Sequence, residues 1–593
     1  MVLHSRLMWS ILLIMITAGV AACGGAAATP APTATTVASP TEVVPTVAAG
    51  PTAAPTVAPT ITPLPAGVAS ARDSMTLVIN QEPLSMNPFP TQGGIAAAPG
   101  KDNTVDPFTW QSGDDLRIVP TTATTGWEQL APDKWRFQLR EGVKFHNGEV
   151  WNAEAALPSM AYQGVGNNDN TSFAYTGGFT AAAVEEYTLE ITCDQACPIF
   201  PNSTIFLNFL APEFYASSSE ETLSREVAGF GPYKLVSWSP GVELLQEAYE
   251  DYVPAGDHFE FQKPLVQNLK WVWRGEPTVA AAMVQQDEAD IAWDVGVDNV
   301  EALPENMIKS GGSAEILGFW LNTMWHPELK KVEVRQAIAH AINCQEIVDA
   351  LYSGLAPCRG NVMWPGVIGA TERNTAPYEY NPTLSRQLLE EANYDSSNLI
   401  KIQGRADRIP KQTEVYEAMH AYLQDVGMNV EISVLEPSVR NELRDCAIGT
   451  AVNEVLAAQG KDPNVDEPTL TDMQAAIDKG GSNCPTAEFL ESPLSNELLD
   501  FGLTVNRYLN CIRPQSFVCD PSAGGIQERI SSALAASGEE RTDLMQYFGD
   551  KVHDDVLILG MFEPPVIYAV DPELNWEPRN DRRVRVNTMW FGE

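Results

Sequence analysis

The sequence predicts a mixed α/β fold. Short runs in which apolar and polar residues alternate dominate the first half, and helical stripes interleaved with further alternating runs dominate the second. With 593 residues, 44% hydrophobic and 19% charged, the chain is long enough for several domain-sized units and apolar enough to bury their cores.

The elements follow in order. Met75, Leu77 and Ile79 alternate with Thr76, Val78 and Asn80 as a first strand, closed by the Pro-rich stretch 82–90. Trp135, Phe137 and Leu139 alternate with Lys134, Arg136, Gln138 and Arg140, which gives one buried and one wet face and so an antiparallel-type strand. Asn147-Gly148 ends a strand in a tight turn, Asn152 caps the next helix, and Pro158 is expected to shorten that helix. Ser239-Pro240-Gly241 joins two runs, 233–238 and 242–247, as a hairpin. A strand at 270–273 runs through Gly275 and Pro277 into a helix at 278–286. Val334, Ile338, Ala341 and Ile342 share a helical face, and Asn343 with Glu346 resembles a capping box that starts another helix. Asn381-Pro382 starts a third. Val415, Met419, Tyr422 and Val426 form a stripe stopped by Gly427, after which Val430, Ile432 and Val434 alternate as a strand.

The N-terminus sets the compartment. Arg6 followed by the apolar run from Leu7 to Val20 reads as a signal peptide over 1–22, because the run is too short for a comfortable span. The small residues Val20-Ala21-Ala22 lead into Cys23-Gly24 and resemble a bacterial lipobox, in which the Cys is acylated and begins the mature chain. The stretch from 23 to 70 is rich in Pro, Thr and Ala, cannot form a core, and reads as a lipid-anchored tether. Cysteine usage agrees with export. Eight cysteines remain, and their clustering makes neighbour pairing the economical expectation: Cys193 with Cys197, Cys344 with Cys358, Cys446 with Cys484, and Cys511 with Cys519.

Several chemistries are excluded. A net charge of −40 leaves no electrostatic footprint for phosphate backbones, so nucleic acid is the wrong partner. His residues are scattered, without HExxH or CxxC, so no metal site and no cofactor are expected. Ala98-Pro99-Gly100-Lys101-Asp102 falls short of a Walker A end, since Asp102 replaces the magnesium-holding Ser/Thr, and reads as a loop. No GxSxG elbow occurs. His146 reads as a turn or packing residue.

The order of five blocks then carries a resemblance: GWEQLAPDKWRFQLREGVKFHNGEVWNAEAALPSM from Gly126, GFGPYKLVSWSPG from Gly229, VQQDEADIAW from Val284, VRQAIAHAIN within 322–354, and YNPTLSRQLLEEANY from Tyr380. The chain resembles extracellular solute-binding proteins of family 5, the large binding proteins of ABC importers for oligopeptides, dipeptides, nickel and some oligosaccharides. The resemblance implies a two-lobed, type II periplasmic-binding-protein-like fold with an extra inserted subdomain. Lobe I would comprise 71–118, 229–318 and a return over 554–593; the inserted subdomain 119–228; lobe II 319–553. It also implies a non-enzymatic monomer, outside the cytoplasm (periplasmic or cell-surface), that takes a peptide-like or other small solute to the permease subunits of an ABC importer, held to the membrane through its lipid anchor. A surface-anchored hydrolase and a sensory or adhesive lipoprotein on the same fold are the rival readings. Three departures stand out. Pro158 falls in a helix that the family usually keeps uninterrupted. Asp287 occupies a turn where the family commonly has Gly, and the family's Gly-Trp segment has no clear match in 445–470.

The resemblance also implies a ligand between the lobes, met by Gln81, Glu82 and Ser85 after the first strand and by Asn322 with Trp325 nearby. An acidic anchor for a cationic group falls to Asp466, with Asp462 as the alternative.

Overall fold

The computed structural model describes residues 69–90, 95–112, 117–166, 172–256, 259–313, 315–406, 408–463, 466–483, 487–513 and 515–592. Cys23, the signal peptide and nearly all of the tether lie outside them. None of the described helices is long and apolar enough to cross a membrane.

Three sheets organise the chain. The first has seven strands in the order Ile308–Gly311, Val566–Val570, Ile291–Ala292, Ser74–Ile79, Asn268–Trp273, Glu243–Ala248 and Tyr233–Ser239. Ser74–Ile79 is parallel to both neighbours and the outer pairings are antiparallel. The helix Pro277–Gln285 makes the crossover from Asn268–Trp273 to Ile291–Ala292 and packs Ala280, Ala281 and Val284 inward. Asp287, three residues past Val284, has φ +57°, the left-handed backbone that the family's Gly adopts freely.

The second sheet has five strands in the order Val430–Val434, Ile400–Gly404, Phe489–Leu494, Ile316–Leu321 and Ile558–Phe562. The third is a four-stranded antiparallel sheet, Thr124–Ala131, Lys134–Leu139, Thr188–Cys193 and Phe179–Glu185, within the expected inserted subdomain. Trp135, Phe137 and Leu139 turn inward there, against Phe108, Trp151 and Phe209. The helix Ala153–Gln163 runs through Pro158 without a break, because the missing N–H removes a single intrahelical bond. Asn152, Asn343 and Asn381 accept from backbone N–H groups at their helix starts, as their positions predict.

Ile308–Gly311 and Val566–Val570 belong to the first sheet and Ile316–Leu321 and Ile558–Phe562 to the second, so the chain leaves the first sheet after Gly311 and returns to it at Val566. The two passages run side by side: Gly311 pairs with Val566 on one side of them and Leu317 with Phe562 on the other. Disulfides join Cys193 to Cys197, Cys344 to Cys358 and Cys511 to Cys519, three of the neighbour pairs expected. The fourth, Cys446 with Cys484, falls on a residue outside the described ones.

Candidate solute-binding cleft

A cavity of about 470 Å³ lies where the three sheets' units meet. Lobe I contributes Lys101, Asp102, Trp110, Gln111, Asp581, Arg582 and Arg583; the inserted subdomain Ile205, Phe206 and Asn208; lobe II Trp364, Arg408 and Glu497; and the first passage Glu315.

The lobe I wall is built from two distant segments zipped together. Asn103 donates to Val584 O at 3.0 Å and accepts from Val586 N at 2.9 Å, which lays 579–586 along 102–106. That places Trp110, 1% exposed, beneath three guanidinium groups, with Arg583 at 4.6, Arg585 at 5.0 and Arg579 at 5.3 Å from its ring centre. Each cation has its acid. Arg585 donates to Asp106 at 2.8 Å, and Tyr252 OH donates to the other Asp106 oxygen at 2.9 Å. Arg579 pairs with Glu260 and donates to Asp581 at 2.8 Å, while Arg583 lies 3.7 Å from Asp102. Burial pushes the Asp581 carboxyl up, but the Arg579 guanidinium, the Arg583 charge and the Arg583 N–H together leave the group below its ordinary range. Burial keeps Asp102 above its ordinary value against the pull of Arg583.

Lys101 differs. The stretch Ala98–Asp102, expected to be a loop, is one wide helical turn, and it sets the Lys101 amine in the cavity wall with no ion-pair partner among the described residues. Burial, aided by the Arg583 charge, lowers its pKa to about 8.

The opposing wall pairs its charges differently. Glu315, on the first passage, pairs with Arg408 of lobe II and lies 3.3 Å from Arg582 of lobe I, so one carboxylate ties both lobes. Glu497 accepts from Tyr175 OH at 3.3 Å through one oxygen, and its second oxygen is buried with no hydrogen-bond partner among the described residues. The Tyr175 ring stacks on Phe206 with centroids 4.0 Å apart. Trp364 is 4% exposed, and its indole N–H has no partner among the described residues. The lining thus holds four basic and four acidic side chains, a local balance in a chain of net charge −40, together with aromatic surface. Such a wall suits a small zwitterion with some apolar body.

The residues singled out from sequence lie elsewhere. Glu82 accepts from Trp238 Nε1 at 2.9 Å and from Gly241 N at 3.1 Å, which closes the hairpin of the first sheet; Gln81 is exposed beside it. Ser85 accepts from Asn87 N at 3.0 Å. Asn322, 2% exposed, accepts from Met324 N and Trp325 N and donates to Ala487 O at 2.9 Å. Trp325 donates to Ile477 O at 3.2 Å and packs with Met324, Ile448 and Met473. Asp462 and Asp466 are exposed and bond each other's loop, the Asp462 N–H donating to the Asp466 carboxylate at 2.8 Å. None of the seven lines the cavity. Sequence reasoning gives no weight to Arg579–Arg585, four arginines in seven residues of an acidic chain, which is the one local signal that could have marked the wall. His146 is half-buried with its ring against Tyr249 and its Nε2 2.9 Å from Gly231 O, and desolvation of the ring holds the imidazole down at about 4, as fits a packing residue.

The profile of the family described as "Bacterial extracellular solute-binding proteins, family 5 Middle" matches residues 117–466. The chain belongs to that family. The family is one of binding proteins, not enzymes, and acts outside the cytoplasm. A glutathione-binding protein of Shigella flexneri is 23% identical over 310 residues, which cover 51% of this chain and 58% of that protein; the chain thus spans little more than half of such curated relatives. A nickel ABC transporter structure from Bacillus halodurans superposes with a TM-score of 0.68 at 18% identity, covering 87% of this chain and all of that one. A periplasmic binding protein of Helicobacter pylori in complex with the peptide STSA gives 0.60 at 18% identity, over 88% and 98% of the two chains. The type II periplasmic-binding-protein fold of family 5 is therefore the fold of this protein.

Proposed function

We propose that this family 5 protein captures a small peptide-like zwitterion in the 470 Å³ cleft and delivers it, as a lipid-anchored monomer, to the membrane subunits of an ABC importer. The observation that carries the reading is a pair of lining charges, Lys101 and Glu497, that have no ion-pair partner among the described residues, one Glu497 oxygen also lacking a hydrogen bond there. A carboxylate of the solute meets Lys101, and an ammonium meets Glu497. Each interaction is a charge-assisted hydrogen bond in a water-poor space. Glutathione and a short peptide, named for the relatives above, each carry both groups. In this reading Gln81, Glu82, Ser85, Asn322 and Trp325 frame the lobes, and the acidic role expected of Asp466 or Asp462 passes to Glu497. Capture requires contacts that differ between open and shut arrangements, and Glu315, bonded to both lobes, is placed to feel that difference. Acyl chains on Cys23 would hold the protein at the membrane, and the Pro-rich stretch behind it would give it reach.

Native mass spectrometry of the purified soluble part identifies a co-purified solute. Its affinity is then measured for Lys101→Gln and Glu497→Gln. Both substitutions are expected to weaken binding at least tenfold, and unchanged binding in both would refute the assignment. Fatty-acid analogue labelling that persists in Cys23→Ser would remove the anchor.

A further inference from the structure

The turn 496–500 of lobe II is fixed tightly within its own lobe. Asn496 donates through Nδ2 to Val362 O at 2.6 Å, and the Leu499 N–H closes the turn on Asn496 O at 2.7 Å. Leu499 takes φ +53°, left-handed backbone that a branched side chain enters only where its surroundings dictate it. Here they do. Leu499 O accepts from Ile368 N at 3.0 Å, and Asp500 is buried against Arg541 at 2.6 Å.

The carbonyls of Glu497 and Leu498 are engaged from outside that lobe. Asn202 of the inserted subdomain donates to Leu498 O at 2.7 Å, and Gln111 of lobe I donates to Glu497 O. The two donors are themselves tied together. Thr109 donates to Pro201 O at 2.7 Å, which joins the strand Thr109–Gln111 to the short helix Phe200–Ser203, and Arg579 donates to Gln111 O at 2.7 Å. Both bonds run from a neutral amide to a peptide carbonyl, so neither salt nor pH switches them off, unlike the ion pairs of Glu315. Gln111 and Glu497 line the cleft, whereas Asn202 and Leu498 do not.

We propose that the turn 496–500 is the latch of the cleft, and that Asn202 and Gln111 are positioning residues which fasten it to the facing units and so set the Glu497 carboxylate in the lining. The link to capture rests on the reading of Glu497 above: its carboxylate meets the solute while its carbonyl is held by Gln111, so a solute that needs the carboxylate in place favours the latched arrangement.

The latch is read on the purified chain with no solute added, from nitroxides on Thr180→Cys and Gln424→Cys, exposed positions of the inserted subdomain and of lobe II, by pulsed electron resonance. Asn202→Asp keeps the side-chain shape but sets an acceptor against Leu498 O. It is expected to raise the population at longer separation at least threefold, and Gln111→Leu to raise it in the same direction. A control pair within lobe II, Gln424→Cys with Thr471→Cys, is expected to stay unchanged. A subdomain-to-lobe distribution that is unaltered in either variant would overturn the latch, and so would a matching change in the control pair, which marks general loosening. A failed latch and a failed solute reading are distinguishable. The first leaves the distances unchanged while Lys101→Gln and Glu497→Gln still weaken binding; the second shifts the distances while those two affinities hold.

Discussion

The two walls of the cleft differ in how their charges are paired. On the lobe I side Arg579, Arg583 and Arg585 lie over one indole ring, each with its own acid, and the Arg585–Asp106 pair is fully buried at 2.8 Å. On the lobe II side Glu497 has no ion-pair partner among the described residues, and one of its oxygens has no hydrogen bond there. Single donors without a bond among the described residues occur on both walls, Trp364 Nε1 on this one and Trp110 Nε1 and Arg585 Nε on the other, so the walls differ in the pairing of their charges. The difference teaches which wall is preformed. A lattice of matched charges is rigid before any ligand arrives, whereas an unpaired charge is a place that a ligand completes.

The largest expected effect comes from breaking the finished wall. Asp106→Ala leaves the buried Arg585 guanidinium without its counter-charge and should cost about 3–5 kcal/mol in denaturant unfolding. A loss below about 1 kcal/mol would mean that the lattice is not what holds this wall. Removing an open acceptor should act on binding instead. Glu497→Gln is expected to weaken the co-purified solute by about 1.5–3 kcal/mol, roughly 10- to 150-fold, while the unfolding midpoint stays nearly unchanged. An equal loss of stability would show that Glu497 belongs to the fixed wall.

Lys101 sharpens the comparison through pH. Its folded pKa of about 8 lies below the ordinary 10.5, so the cation that meets a carboxylate is lost as pH rises through about 8, and solute affinity should fall there. The unfolded chain keeps this proton longer, so the same group makes folding more favourable as pH climbs between about 8 and 10.5. Affinity and stability should therefore move in opposite directions over this window, and Lys101→Gln should flatten both slopes. The smallest effect is a control away from both walls. Asp287→Gly relieves the φ of +57° and should stabilise by less than about 1 kcal/mol, with solute affinity unchanged by titration calorimetry.

Local rules made much of the fold readable. The alternation at Met75–Ile79 and Trp135–Leu139, the caps at Asn152, Asn343 and Asn381, and the hairpin at Gly241 are each decided within a few residues, and each stands where the sequence places it. The site was far less legible because its pairs are remote in sequence. Asp106 and Arg585 are 479 positions apart, so no spacing rule joins them. Asn322 and Trp325 show how ambiguous such a pattern is: a polar side chain beside an aromatic one reads the same whether it faces a ligand or bonds the backbone of its own turn, as Asn322 does. Pro158 was over-weighted, since a lone missing N–H does not stop a helix that packs well on one face.

Lobe II is a parenthesis in the chain. The strands that lead into and out of the second sheet run side by side, paired at Gly311 with Val566 and at Leu317 with Phe562. A body held by two adjacent threads swings like a gate on one post: it turns readily about the line through both threads and poorly about any other. The described ends of the chain are fastened together on the other side of that post, Ala71 N–H donating to Phe591 O at 3.0 Å. A pull on either end therefore loads the fixed panel and leaves the gate free to swing.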